Sequence, residues 1–68
     1  MTIRKFCERL DVELETLIRE RSEAVADGAA TDFADYKARC AEIRGLKRSR
    51  SVIDEQQRRF MDEDDEDD

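Results

Sequence analysis

Asp27-Gly28-Ala29-Ala30-Thr31 divides the chain. On either side lie long runs with helical periodicity, and within it nothing continues that period. Gly28 suits the left-handed position that follows a helix end, because it carries no Cβ to clash there. Thr31 or Asp32 suits the N-cap of the next helix, where a side-chain oxygen accepts from an unpaired backbone N–H. Asp32 and Asp35 also place negative charge in the first turn, which the helix dipole favours. The break therefore reads as a short turn between two helices.

Before the break, Ile3, Cys7, Leu10, Leu14, Leu17, Arg21 and Ala24 recur at alternating spacings of four and three. This near-heptad predicts an amphipathic helix over about 3–27. Thr2 is its expected N-cap. Phe6, Ile18 and Val25 widen the apolar stripe on one side. After the break, Phe33, Tyr36, Cys40, Ile43, Leu46, Ile53 and Phe60, with Val52 beside them, predict a second helix over about 32–61. Gly45 interrupts it. It marks either a bend or the close approach of another backbone, since glycine costs roughly 1 kcal/mol relative to alanine inside a helix.

A turn this short favours antiparallel neighbours. The expected fold is all-α: a two-helix antiparallel hairpin, residues 1–61 with the turn at 28–31, followed by a disordered or partner-bound acidic tail, 62–68. Folding about residue 29 or 30 pairs positions whose numbers sum to about 59. Leu17 and Ile18 then face Cys40 and Ile43, Leu14 falls opposite Gly45, and Phe6 falls near Ile53. The expected packing set is Leu10, Leu14, Leu17, Phe33, Tyr36, Cys40, Ile43, Gly45, Leu46 and Ile53. Phe60 and Met61 would overrun the first helix. Together with Phe6, Ile18, Val25 and Val52 they form a surface that one neighbouring helix cannot cover. That surface is the expected partner-binding set, for a larger protein assembly or copies of the chain.

Composition fits this architecture and narrows the function. Charged residues make up 47% of 68 residues and proline is absent, which suits solvated helices. So short a chain buries little surface and calls for a disulfide, a metal, a partner or very good packing. With two cysteines and no histidine, a zinc site of the usual kinds is not expected. In the hairpin register Cys7 and Cys40 lie roughly 18 Å apart along the axis, too far for an internal bridge. They read as small apolar residues or as inter-chain partners. Catalysis finds no support: no histidine, no nucleophile beside a base, no glycine-rich phosphate loop, and so no cofactor or small-molecule substrate. No apolar run approaches the ~20 residues that span a bilayer. Met1 leads directly into an amphipathic pattern rather than a leader, so a cytoplasmic site of synthesis is expected.

Charge is unevenly placed. Asp62, Glu63, Asp64, Asp65, Glu66, Asp67 and Asp68 carry seven of the 19 acidic groups. The remaining 12 acidic groups face 13 basic ones, so the body is nearly neutral while the whole chain stands at −6. Seven adjacent carboxylates repel one another and stay disordered unless bound. The tail suits a solubilising end, docking on a basic surface, or imitation of nucleic-acid phosphates. It lacks the spacing of a calcium loop. The segment 37–50 holds Lys37, Arg39, Arg44, Lys47, Arg48 and Arg50 against Glu42 alone. No aromatic or asparagine there is placed to read bases, and the tail opposes a polyanion, so direct nucleic-acid binding is disfavoured. Pairing with the acidic first helix, the tail or an acidic partner is the favoured role.

The run Phe33-x-x-Tyr36-Lys37-x-x-Cys40-x-x-Ile43-Arg44-Gly45-Leu46, with its charged continuation and acidic end, resembles small helical-hairpin proteins encoded among the head and packaging genes of tailed bacteriophages. The resemblance covers about residues 31–68. It implies a minor virion component or head-assembly factor bound to portal, neck or capsid proteins, with Phe33, Tyr36, Ile43, Gly45 and Leu46 as packing residues and no catalytic ones. It implies a virion location after synthesis in a host cytoplasm. After Leu46 the chain departs from that pattern, 47–51 being more basic and serine-rich. The alternative reading is an acidic regulator that imitates phosphate and inhibits a nucleic-acid-handling protein.

Overall fold

The computed structural model describes residues 2–67, with side chains described for 2–61. Two helices account for the fold: α1, Ile3–Ala26, and α2, Phe33–Asp67. They lie antiparallel, as Arg50 reaches Asp11 and Arg21 reaches Glu42 across the interface. The principal extents are 54, 19 and 12 Å. Twelve ångströms is the diameter of a single helix with its side chains, so the molecule is one layer thick.

Local chemistry sets three of the helix boundaries. Thr2 caps α1: its hydroxyl accepts from the Lys5 N–H at 3.2 Å. At the other end of α1, Gly28 adopts φ +87°. Its N–H donates to the Val25 carbonyl, and the Ala29 N–H donates to the Ala24 carbonyl. This pair of bonds is a Schellman motif, which satisfies carbonyls the helix end would otherwise leave open. Asp32, rather than Thr31, caps α2: its carboxylate accepts from the Asp35 N–H at 2.7 Å. Asp35 reaches back to the Thr31 N–H at 3.0 Å and forward to Arg39 at 3.0 Å. The Thr31 N–H, and secondarily the Arg39 guanidinium, hold the Asp35 carboxyl below its ordinary pKa.

The fourth boundary differs from expectation. α2 continues to Asp67, past the expected end at Met61. The disordered or partner-bound state expected of the acidic tail concerns side chains outside the described residues.

The register is also displaced. The cross-helix ion pairs join residues whose numbers sum to 61 for Asp11 with Arg50 and 63 for Arg21 with Glu42. Folding the backbone about residue 29 or 30 gave about 59. Side chains lean toward the N-terminus of their own helix, so in an antiparallel pair each meets a partner set further along. A lean of about one position on each helix raises the sum by about two. The reach of arginine accounts for more. As a result Phe60 does not overrun α1. It shares one groove with Ile3 and Cys7.

Gly45 needs the plainest correction. It is exposed, and a Cβ built on it would meet nothing within 4 Å. The helices do not close up there, and α2 runs through it unbroken. The Ser49 hydroxyl donates to the Gly45 carbonyl at 2.9 Å, the back-bond a serine makes within a continuous helix.

A candidate docking surface

The interface between the helices is a seam rather than a core. Among the described residues none is buried. Cys7, Leu10, Leu14, Leu17, Ile18, Ala24 and Val25 on α1 are half-buried, as are Cys40, Ile43, Leu46 and Ile53 on α2. Seven of the ten expected packing residues therefore sit in the seam. Phe33 and Tyr36 do not, being 72% and 45% exposed, and Gly45 is the third. Phe33 lies ten residues before Ile43, which rotates it about 80° off the seam. It stacks on Tyr36 with centroids 6.4 Å apart, and the Lys37 ammonium sits 5.6 Å from its ring centre.

Two polar residues of α2 occupy seam positions outside the expected apolar set, one of them belonging to the basic segment whose favoured role was pairing with the first helix. Arg50 and Gln57 are half-buried between Leu46, Ile53 and Phe60. The signal was present: Leu46, Ile53 and Phe60 are seven apart, and alternating steps of four and three between them pass through 50 and 57. Arg50 grips Asp11 with two hydrogen bonds, 2.6 Å from Nε and 3.2 Å from Nη2, and lies 3.6 Å from Glu15. The hydrogen bond from Arg50 lowers the Asp11 pKa and raises that of Arg50 itself. Such a two-pronged pair fixes register by geometry more than by energy, because both partners stay about one-third exposed.

The expected partner-binding residues divide into two groups. Phe6, Val52 and Phe60 are 44–53% exposed, whereas Ile18, Val25 and Met61 are half-buried at the edge of the seam. Ile3, read as a seam residue, is 46% exposed and joins the first group. Val12, which belongs to neither sequence set, is 61% exposed on the outer face of α1.

Ile3, Phe6, Val52 and Phe60 all lie at the open end of the hairpin, away from the turn. Ile3, Cys7 and Leu10 on α1 and Val52, Ile53 and Phe60 on α2 line a shallow groove of about 350 Å³, and Phe6 with Leu10 extends it over the α1 side. Apolar surface from both helices is thus left in water at one place.

Charge partners lie elsewhere. Of the basic segment 37–50, Arg50 engages Asp11 and Glu15, and Arg39 engages Asp35. Arg44, Lys47 and Arg48 make no ion pair among the described residues. Both cysteines are unbridged. Among the described residues no group of three metal-ligating side chains converges, and no helix is long and apolar enough to cross a membrane. No family model matches the chain, and neither the curated proteins nor the solved structures searched gave a match.

Proposed function

We propose that the hairpin is a non-enzymatic structural interaction protein, a minor virion component of a tailed phage, docked in several copies on portal, neck or capsid proteins. The observation that carries the docking part is the open end. Phe6, Val52 and Phe60 are each about half exposed in a molecule with no buried residue among those described. A large apolar side chain gains roughly 1.5–3 kcal/mol from full burial, and these have realised only part of it. The rest becomes available on binding. The placement on a phage particle is supported by the resemblance of the 33–46 run to head-gene hairpins.

The test is quantification of the protein in purified, salt-washed particles. A fixed number of copies per particle is expected; absence from intact particles refutes the virion reading.

The tail favours a second reading, since seven carboxylates in seven residues imitate a run of phosphates. On this reading the chain binds and inhibits a nucleic-acid-handling protein. Deleting 62–68 then abolishes a salt-sensitive inhibition. Under the docking reading the same deletion leaves attachment through the apolar groove largely intact.

A further inference from the structure

We infer that the outer face of α2 beside the turn binds a single-stranded nucleic acid, its phosphates lying along Lys37, Arg44, Lys47 and Arg48 and a base stacking on Phe33. The inference is independent of the virion reading and of what covers the open-end groove. Three observations carry it.

The first is where the structure puts the aromatic residues. Phe33 and Tyr36 leave the seam, 72% and 45% exposed, with 22° between their ring planes. An exposed pair of near-parallel rings has gained little from folding, and a base supplies the flat surface it lacks. The Lys37 ammonium, 5.6 Å from the Phe33 ring centre, sets a positive charge beside this platform.

The second is how the cations are distributed. Of the 13 basic groups, Arg21, Arg39, Arg50, Arg58 and Arg59 form ion pairs, and eight form none among the described residues. Four of the eight, Arg4, Lys5, Arg9 and Arg19, belong to α1, where Glu8, Glu13, Glu15 and Glu20 are interspersed with them. The other four are Lys37, Arg44, Lys47 and Arg48, all exposed. At 100° per residue they share about 100° of arc with Phe33. The one acidic residue between 37 and 50, Glu42, lies about 160° round the helix from Arg44 and is engaged by Arg21. From the rings to Arg48 the face runs about 22 Å along the axis, room for the four or so nucleotides at the small end of single-strand sites. An acidic peptide satisfies the cations but offers nothing flat to the rings, and a duplex keeps its bases stacked inside. A single strand satisfies both features.

The third is where the backbone carries the acidic end. The tail opposes a polyanion only if it lies close to the basic stretch. α2 runs unbroken to Asp67, so its backbone takes position 62 about 21 Å beyond Arg48. Charges in water are screened over about 8 Å at physiological salt, and the repulsion is weak at that range.

The experiment is a titration of a labelled oligothymidylate, about twelve nucleotides long, with the full chain, followed by fluorescence anisotropy at several salt concentrations. A Kd between roughly 1 and 100 μM is expected at about 50 mM salt. Four phosphates neutralised on a single strand give a slope of log affinity against log salt of about −3. Phe33→Ala should weaken binding at least about fivefold with the slope unchanged, and Phe33→Tyr, which keeps a ring, should bind as the wild type does. Arg44→Gln with Arg48→Gln should instead make the slope shallower by about 1.4. These side chains are all exposed, so helicity by circular dichroism should be unaltered. Absence of binding at roughly 100 μM chain overturns the inference. So does labelled polyglutamate bound as tightly as the oligonucleotide, which assigns the face to an acidic protein. A duplex of the same length bound more tightly than the single strand, or Phe33→Ala indistinguishable from the wild type, overturns it as well.

Discussion

The two ends of the hairpin are held by different physics. At the turn, the Schellman bonds around Gly28, the Asp32 cap and the Asp35 bridge to Thr31 and Arg39 all act between residues close in sequence. They need no partner and little apolar burial. At the open end the bonds among the described side chains, the Thr2 cap and the Glu55 pairs with Arg58 and Arg59, each stay within one helix. There Ile3, Phe6, Val52 and Phe60 present apolar surface that the chain itself does not cover. The turn therefore specifies the fold, while the open end holds back free energy that only another molecule can release. The seam joins the two, with Arg50 and Asp11 fixing how far along one helix the other sits.

The largest expected effect breaks the comparison at the open end. Replacing both Phe6 and Phe60 with serine should weaken attachment to the partner by at least about 2 kcal/mol, roughly 30-fold, as loss of aromatic anchors does. Helicity of the isolated chain should change little, because neither ring is buried. A binding titration beside circular dichroism measures both. Comparable losses in each would show that the open end belongs to the fold after all.

The next effect breaks the other end. Gly28→Val places a β-branched residue at φ +87° and should cost about 1–2 kcal/mol of stability, read by denaturant unfolding. Alanine should cost less than valine. Partner affinity, measured where the variant is still folded, should be unchanged.

Gly45→Ala acts between the ends and in the opposite direction. Because a Cβ there meets nothing within 4 Å, the substitution should stabilise the hairpin by about 1 kcal/mol. A loss of stability would restore the close approach that the sequence suggested at this position.

The smallest effect sharpens the turn. The Asp35 carboxyl is held below its ordinary pKa, so its ionised form favours the folded state. Its contribution is present above the unfolded carboxylate pKa and is lost as pH falls through the lower, folded value. The stability difference between the wild type and Asp35→Asn should be present at pH 7 and close below about pH 4, where carboxylates of unfolded chains protonate. A difference that persists undiminished at pH 2 would mean the aspartate acts by shape rather than charge.

The caps and the break were legible from the sequence because they depend on residue types acting over three or four positions. Thr2, Gly28 and Asp32 behave as their chemistry dictates in any helical protein. The seam was legible only where it is apolar. Arg50 and Gln57 occupy seam positions but carry polar groups, so a reading that follows hydrophobic residues steps over them. Gly45 was misread because an interior glycine has two physical explanations, close packing or mere tolerance, and only the neighbouring helix decides between them. Phe33 was counted with the seam because it precedes Tyr36 and Cys40 at spacings of three and four. Its angular position, ten residues from Ile43, argued otherwise. The register slipped for a geometric reason: counting outward from the turn treats side chains as perpendicular to the axis, and they are not.

The crowding of short-range bonds around the turn has a kinetic consequence. Closing a loop of a few residues costs little entropy, and the Gly28 and Asp32 bonds reward it at once. Nucleation is therefore cheapest at the turn, and the helices zip outward from it on the microsecond timescale of local structure. The pairing of Arg50 with Asp11, 39 positions apart, comes later. The end that carries Phe6 and Phe60 is the last to form and, by the same order, the first to open. A partner bound there also slows the unzipping of the chain, since it holds the contacts that open first.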